Sequence, residues 1–315
     1  MKIDVHAHFV PESCADLLAG RVTDAGLPPG VIDSMSDLDV RLRHMDERGV
    51  DIELVSTPPW LTNPAPETAR RLNDSTAEAI APHADRFIGL ANTPMQDPDA
   101  AAAELERCVK DLGFRGLEIL TNVAGENLHE ARFAPVYRKM VELDVPAFVH
   151  PQNVVGAADR LQPFYLTNFI GNPTDTAIAA ACLIFGGVLK EMPALKFVLA
   201  HGGGSCPFLR GRWEHGWNMR SEGERIIHRP PSEYFRKLYF DTLTHSTPAL
   251  NYLVETVGYE RVMVGSDYPF NMGDFAPVKT VDALPHASDA QRAMVFGDNA
   301  VKAFGLNPKL LSTAA

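Results

Sequence analysis

The side chains best suited to chemistry fall at the ends of short apolar runs. His6 and His8 close IDVHAH, His150 closes AFVH, His201 follows KFVLA and Asp267 follows VMVGS. Three imidazoles and one carboxylate drawn from this set suit a divalent metal. Zinc is the first choice and cobalt, manganese or iron are alternatives, because affinity alone does not select the ion. A single histidine in such a place is ordinarily a hydrogen-bonded core or surface residue. Recurrence shifts the odds: all five residues share one end of their runs, and they include a His-x-His pair whose members, two apart on a strand, point to the same side.

Converging such residues requires elements that bring strand ends together. Eight runs rich in β-branched and apolar residues read as strands: Lys2 to His8, Ile52 to Ser56, Phe87 to Ala91, Gly116 to Leu120, Ala147 to His150, Lys196 to His201, Leu238 to Asp241 and Val262 to Asp267. Amphipathic helical segments lie between them, among them Pro98 to Leu112, Phe133 to Leu143 and Pro248 to Val257. This alternation predicts a parallel sheet, and eight units in 315 residues predict a (β/α)8 barrel (TIM barrel) formed by one domain over 1–315. An open doubly wound sheet would need a Gly-rich nucleotide loop, which the sequence lacks. Two connections, 11–35 and 152–173, are long insertions expected at the C-terminal face of the barrel, where they would form substrate walls.

Composition narrows the function. The chain is 45% hydrophobic and 22% charged, as expected for a globular protein with a full core. A formal charge of -11 and a pI of 5.4 argue against a nucleic-acid partner, which calls for a basic patch. An acidic small molecule stays open, since one or two arginines suffice to bind a carboxylate. No apolar run reaches the roughly 20 residues that span a bilayer, and no signal pattern begins the chain, so no membrane partner and a cytoplasmic location are expected. Cys14, Cys108, Cys182 and Cys206 have no paired spacing and read as reduced thiols.

The His-Ala-His strand together with FVHP, AHGGG and GSDYPF resembles the amidohydrolase superfamily. The resemblance is to the branch that includes aminocarboxymuconate-semialdehyde decarboxylase and related non-oxidative decarboxylases. It runs almost end to end, through RLRHMDERGVD, RFIGLANTPMQDP, LERCVKDLGFRGLEI and AHGGGSCPFLRGRWEHG. It implies that His6, His8, His150 and Asp267 hold one divalent metal per chain, that His201 is the catalytic acid/base and that Asp267 both ligates and relays a proton. The implied reaction is loss of carbon dioxide from an aromatic or muconate-type carboxylic acid, with no organic cofactor, by a homodimeric carboxy-lyase.

Further contacts follow less directly. Trp60 and Phe270 are candidates for an apolar substrate wall, Asn122 and His245 for polar substrate contacts, and Asp241 for orienting a histidine. Arg220, in GWNMRSEG, resembles a stretch that contributes an arginine across a dimer interface in the family; the segment after the first strand offers only Arg21 before Asp37. Two rival readings are an amidohydrolase or hydratase using the same metal, and a non-catalytic metal-binding scaffold. Many hydrolases of the superfamily bridge two metals with a lysine ending the fourth strand. Here that strand runs into Leu120, Thr121 and Asn122, which favours a single metal.

Overall fold

The computed structural model describes residues 1–18, 31–220 and 226–307. Arg21 lies outside the described residues. Eight parallel strands alternate with helices: β1 (Ile3–His8), β2 (Ile52–Ser56), β3 (Phe87–Gly89, resuming at Ala91–Asn92), β4 (Leu117–Leu120), β5 (Ala147–His150), β6 (Phe197–Leu199), β7 (Tyr239–Asp241) and β8 (Val262–Met263). The principal helices after them are α1 (Leu38–Arg48), α2 (Pro66–Ile80), α3 (Pro98–Lys110), α4 (Ala134–Leu143), α5 (Asn172–Phe185), α6 (Cys206–Met219), α7 (Thr247–Val257) and α8 (Asn299–Phe304). The ring closes where Val5 N donates to Val264 O at 2.9 Å and His8 N to Tyr268 O at 2.7 Å. The predicted (β/α)8 barrel is the observed fold.

Local chemistry sets the helix ends. Asp37 caps α1 by accepting from the N–H groups of Asp39 and Val40, and Gly49 ends it in the left-handed region at φ 71°. Asp97 and Ser246 cap α3 and α7 in the same way.

Two apolar layers hold the barrel. Outward residues such as Val55, Leu117, Ile119, Val149, Phe197 and Phe240 pack under the helices. Inward residues, including Ile3, Val5, Leu54, Ile88, Phe148 and Val198, fill the interior, and Ala303 and Phe304 of α8 join them. Strict alternation would put His6 and His8 on the face opposite Ile3 and Val5. Instead Asp4 pairs with Glu53 and Ala7 with Val55, so β1 carries one extra residue between them. This bulge resets the alternation and turns both histidines into the barrel, where the His6 ring lies 4.7 Å from that of Phe148.

The outward side of the same seam is charged. Arg41, fully buried, donates to Glu53 Oε2 at 2.5 Å and to the carbonyl of His8 at 2.7 Å, while Arg48 donates to Glu53 Oε1 at 2.5 Å. Ser266 Oγ donates to Asp4 Oδ2 at 2.5 Å, and the Arg48 guanidinium stacks 4.0 Å from the Tyr268 ring. Buried charges are tolerated when paired and hydrogen-bonded. Here the pairs tie α1 to β1, β2 and the chain after β8.

Candidate metal centre

Each strand-end residue arrives at the mouth through its own strand. His6 and His8 end β1, His150 ends β5, His201 begins the turn after β6, and Asp267 follows β8. One ligand atom from each of His6, His8, His150 and Asp267 lies within 4.8 Å of all the others, and all four residues are buried. Nε2 of His6, His8 and His150 stands 3.1, 3.0 and 3.7 Å from Asp267 Oδ1, and His201 Nε2 stands 3.5 Å from Asp267 Oδ2.

The partners behind the rings fix which nitrogen faces inward. His8 Nδ1–H donates to the carbonyl of Thr57 at 3.1 Å and His150 Nδ1–H to that of Pro151 at 2.9 Å. His6 Nδ1–H donates to the Asp241 carboxylate at 2.8 Å. None of these acceptors carries a proton to give, so in each neutral ring Nε2 presents a lone pair to the centre. Those lone pairs face a carboxylate that also only accepts. Nε2 of His6 and of His150 is buried without a hydrogen bond. Such a cluster calls for a cation between its members, and metal bonds of about 2.0–2.2 Å would hold neighbouring donors at roughly these separations. The residues present fit one divalent metal.

The electrostatics agree. Burial opposes charge on His6, yet the carboxylates of Asp267 and Asp241 overcome it and raise its pKa to about 10. Burial would raise Asp267, but the surrounding imidazoles, His6 foremost, hold it well below the usual carboxylate range. His150 is pushed down to about 3 by burial, with the neighbouring histidines adding to the shift. The pocket thus asks for positive charge at its centre and leaves His150 neutral, the form that binds metals.

Asp241 is the organiser behind the centre. Besides His6 it accepts from the backbone N–H of His201 at 3.0 Å, Gly202 at 2.7 Å and Leu243 at 3.1 Å. Burial would raise its pKa, but the bond and charge of His6 hold it below the usual value. Gly202 meets this carboxylate from the left-handed region, φ 61°, in a turn that begins at His201 with φ 57°. On β8's extension a Cβ at Gly265 would lie 2.6 Å from the Asp241 Cβ and 2.9 Å from the His6 Cβ, so only glycine leaves room for that pair.

Above the centre lie two connected lobes that share His201, Asp267, Asn168, Asn172 and Met272. The smaller, about 190 Å³, is bounded by Trp60, His150, Gln152, Tyr165 and Phe270. The larger, about 630 Å³, runs between α6 and α7. Trp60 and Phe270 pack ring to ring at 5.4 Å, and Phe270 lies 5.0 Å from the His8 ring, so both candidates for an apolar wall stand beside the centre. Residues of 152–173, among them Gln152, Tyr165, Asn168, Phe169 and Asn172, line one lobe or both. The described part of 11–35 instead braces the wall from behind, with Cys14, Leu18 and Met35 packed among the same cluster as Phe270.

Other expected contacts are placed differently. His245 lines the larger lobe. Asn122 lines neither: its amide donates to Gln152 O at 3.0 Å and Asp175 Oδ2 at 3.1 Å, and its oxygen accepts from Gly125 N, so it ties two loops together. Arg220 ends α6, exposed, and lines neither lobe of this chain. Sequence reasoning missed Glu118, whose Oε2 is buried 3.9 Å from His8 Nδ1, and Asn168, Asn172, Thr244 and Met272 of the larger lobe. A charge inside the apolar run LEIL was the available signal for Glu118.

The chain is 33% identical to 2-amino-3-carboxymuconate-6-semialdehyde decarboxylase of Dictyostelium discoideum, over 98% of this chain and 92% of that protein. It is 27% identical to 2-keto-4-carboxy-3-hexenedioate hydratase of Sphingobium sp., over 96% of each. Among solved structures it matches 5-carboxyvanillate decarboxylase from Sphingomonas paucimobilis, with a TM-score of 0.85 and 28% identity over 97% of this chain and 99% of that one. It also matches dihydroxybenzoic acid decarboxylase from Polaromonas sp. JS666, solved with manganese and the inhibitor 2-nitroresorcinol, with a TM-score of 0.83 and 28% identity over 99% of both chains. A family match over residues 3–306 takes in all eight strands and every side chain of the donor cluster, and the chain belongs to the amidohydrolase family.

Proposed function

We propose that this protein is a metal-dependent non-oxidative decarboxylase of an aromatic carboxylic acid, with His6, His8, His150 and Asp267 holding one divalent ion. The observation that carries the reading is the junction at His201. This histidine is the member of the cluster with a partly exposed side chain, it stands 3.5 Å from Asp267, and it lines both lobes where a bound acid must lie. The histidine and carboxylate donors suit zinc, and manganese is the ion held by the Polaromonas relative. When bound, the ion supplies charge that anchors and polarises the acid.

The chain's own groups would do the rest. Trp60 and Phe270 hold the ring and exclude water. His201 and Asp267 bring a proton to the ring carbon that bears the carboxylate; that carbon–carbon bond breaks, its electron pair returns to the ring and carbon dioxide leaves. Hydration is the second reading, supported by the hydratase among the relatives. The unpaired cysteines suit a reducing, cytoplasmic setting, and among the described residues no helix is long and apolar enough to cross a membrane. Exposed Met219 and Ile226 support a homodimer, which light scattering would test.

The test is carbon dioxide release from a panel of hydroxybenzoates by wild type and His201→Ala. The variant is expected to keep its metal and lose about 100-fold or more in rate. Release unchanged in His201→Ala, or a substrate consumed with every carbon retained, would overturn the reading.

A further inference from the structure

The two lobes differ in size and in lining, and a single substituted ring does not fill both. The smaller lobe lies against the His150 side of the centre between aromatic walls. The larger is walled by Pro207 and Phe208 of α6 and by Pro248, Ala249, Tyr252 and Leu253 of α7. Tyr252 O–H donates to Pro207 O at 3.2 Å, which joins the two helices and leaves only the ring facing the space. Among the described residues no lysine or arginine lines either lobe. A second carboxylate in the larger lobe would find His245, Thr244, Asn168 and Asn172 but no lysine or arginine among the described residues, whereas an apolar group would find prolines, aliphatic side chains and aromatic faces over most of the wall. Phe208 is 83% exposed, Phe169 53% and Tyr252 44%, so apolar surface waits uncovered at the rim.

The lobes meet at His201 and Asp267, where the scissile carbon must sit. A group that enters the larger lobe while the ring occupies the smaller must therefore leave the ring close to that carbon. We propose that the substrate is a monocarboxylic aromatic acid carrying an apolar substituent, alkyl or aryl, on the ring carbon next to the one that bears the carboxylate, and that the lobe between α6 and α7 binds it. This inference rests on the decarboxylase reading for the reaction, but the lobe itself is tested separately.

The experiment uses the metal-loaded protein and 2-hydroxybenzoates bearing hydrogen, methyl, propyl or pentyl at carbon 6. In parallel, binding is measured for 2-nitrophenols with the same groups beside the nitro function, which stands in for the carboxylate and does not react. Each buried methylene is expected to raise kcat/KM and affinity by about two- to fourfold until the lobe is full. Ala249→Trp, at an exposed position on the wall, is expected to bring the pentyl-to-hydrogen ratio close to one. A flat or falling series alongside release from the unsubstituted acid overturns the inference and leaves the reaction standing. Affinity that rises with chain length without any carbon dioxide release sustains the lobe and overturns the reaction. A flat series in binding with no release overturns both.

Discussion

Replacing Asp241 by asparagine changes one atom and removes the carboxylate on which the centre is hung. Its two oxygens accept four N–H groups: His6 Nδ1 and the backbone of His201 on Oδ2, and Gly202 and Leu243 on Oδ1. The amide offers a single acceptor oxygen. Whichever way it turns, one pair of donors meets an NH2 group, and if that pair includes His6 the imidazole is driven to the tautomer that aims N–H at Asp267. Loss of an orienting carboxylate behind a metal ligand costs about 10- to 100-fold in metal affinity. Each donor left buried without an acceptor costs about 1–3 kcal/mol of stability. The Asp241→Asn protein is therefore expected to bind metal at least tenfold more weakly in a chelator competition and to unfold at lower denaturant. Unchanged metal affinity in a folded Asp241→Asn protein would refute the claim that Asp241 sets the tautomer of His6.

Two more substitutions probe the scaffold behind the site. Gly265→Ala places a methyl 2.6 Å from the Asp241 Cβ and 2.9 Å from the His6 Cβ, so one of the two must shift. The expected loss is about 1–3 kcal/mol in a urea melt, with weakened metal binding measured in the same preparation. Arg41→Met leaves Glu53 buried with Arg48 as its remaining cation and frees the carbonyl of His8. Breaking one side of a buried ion pair is expected to cost about 3–5 kcal/mol, read by equilibrium denaturation; a change below 1 kcal/mol would show that the network is dispensable.

Much of the site was legible because a barrel converts position along a strand into position in space. Histidines and an aspartate at strand ends converge whatever their separation in sequence, so His6, His8, His150, His201 and Asp267 could be grouped from the sequence. The bulge in β1 was not legible. In IDVHAH the apolar and histidine positions alternate, and only the extra residue between Asp4 and Ala7 lets Val5 and His6 both contribute to the interior. The larger lobe was equally hidden. Asparagine, threonine, methionine and proline carry no distinctive chemistry, and their meeting at one cavity depends on how loops and the first turns of α5, α6 and α7 are brought together, which periodicity does not encode. Asn122 shows the converse error: its strand-end place suggested a substrate contact, but its hydrogen bonds are spent on Gln152, Asp175 and Gly125. Asp4, Glu53 and Glu118, charges inside strands buried on both faces, were the readable signs of the networks around the centre.

The central claim is tested most directly by following a carboxyl-labelled 2-hydroxy-6-methylbenzoate through stripped and metal-reloaded protein. The account predicts that labelled carbon dioxide and 3-methylphenol form only with reloaded protein, at about one metal per chain, while the stripped chain stays folded. Equal release from the stripped protein, or metal uptake with the label retained in the product, would contradict it.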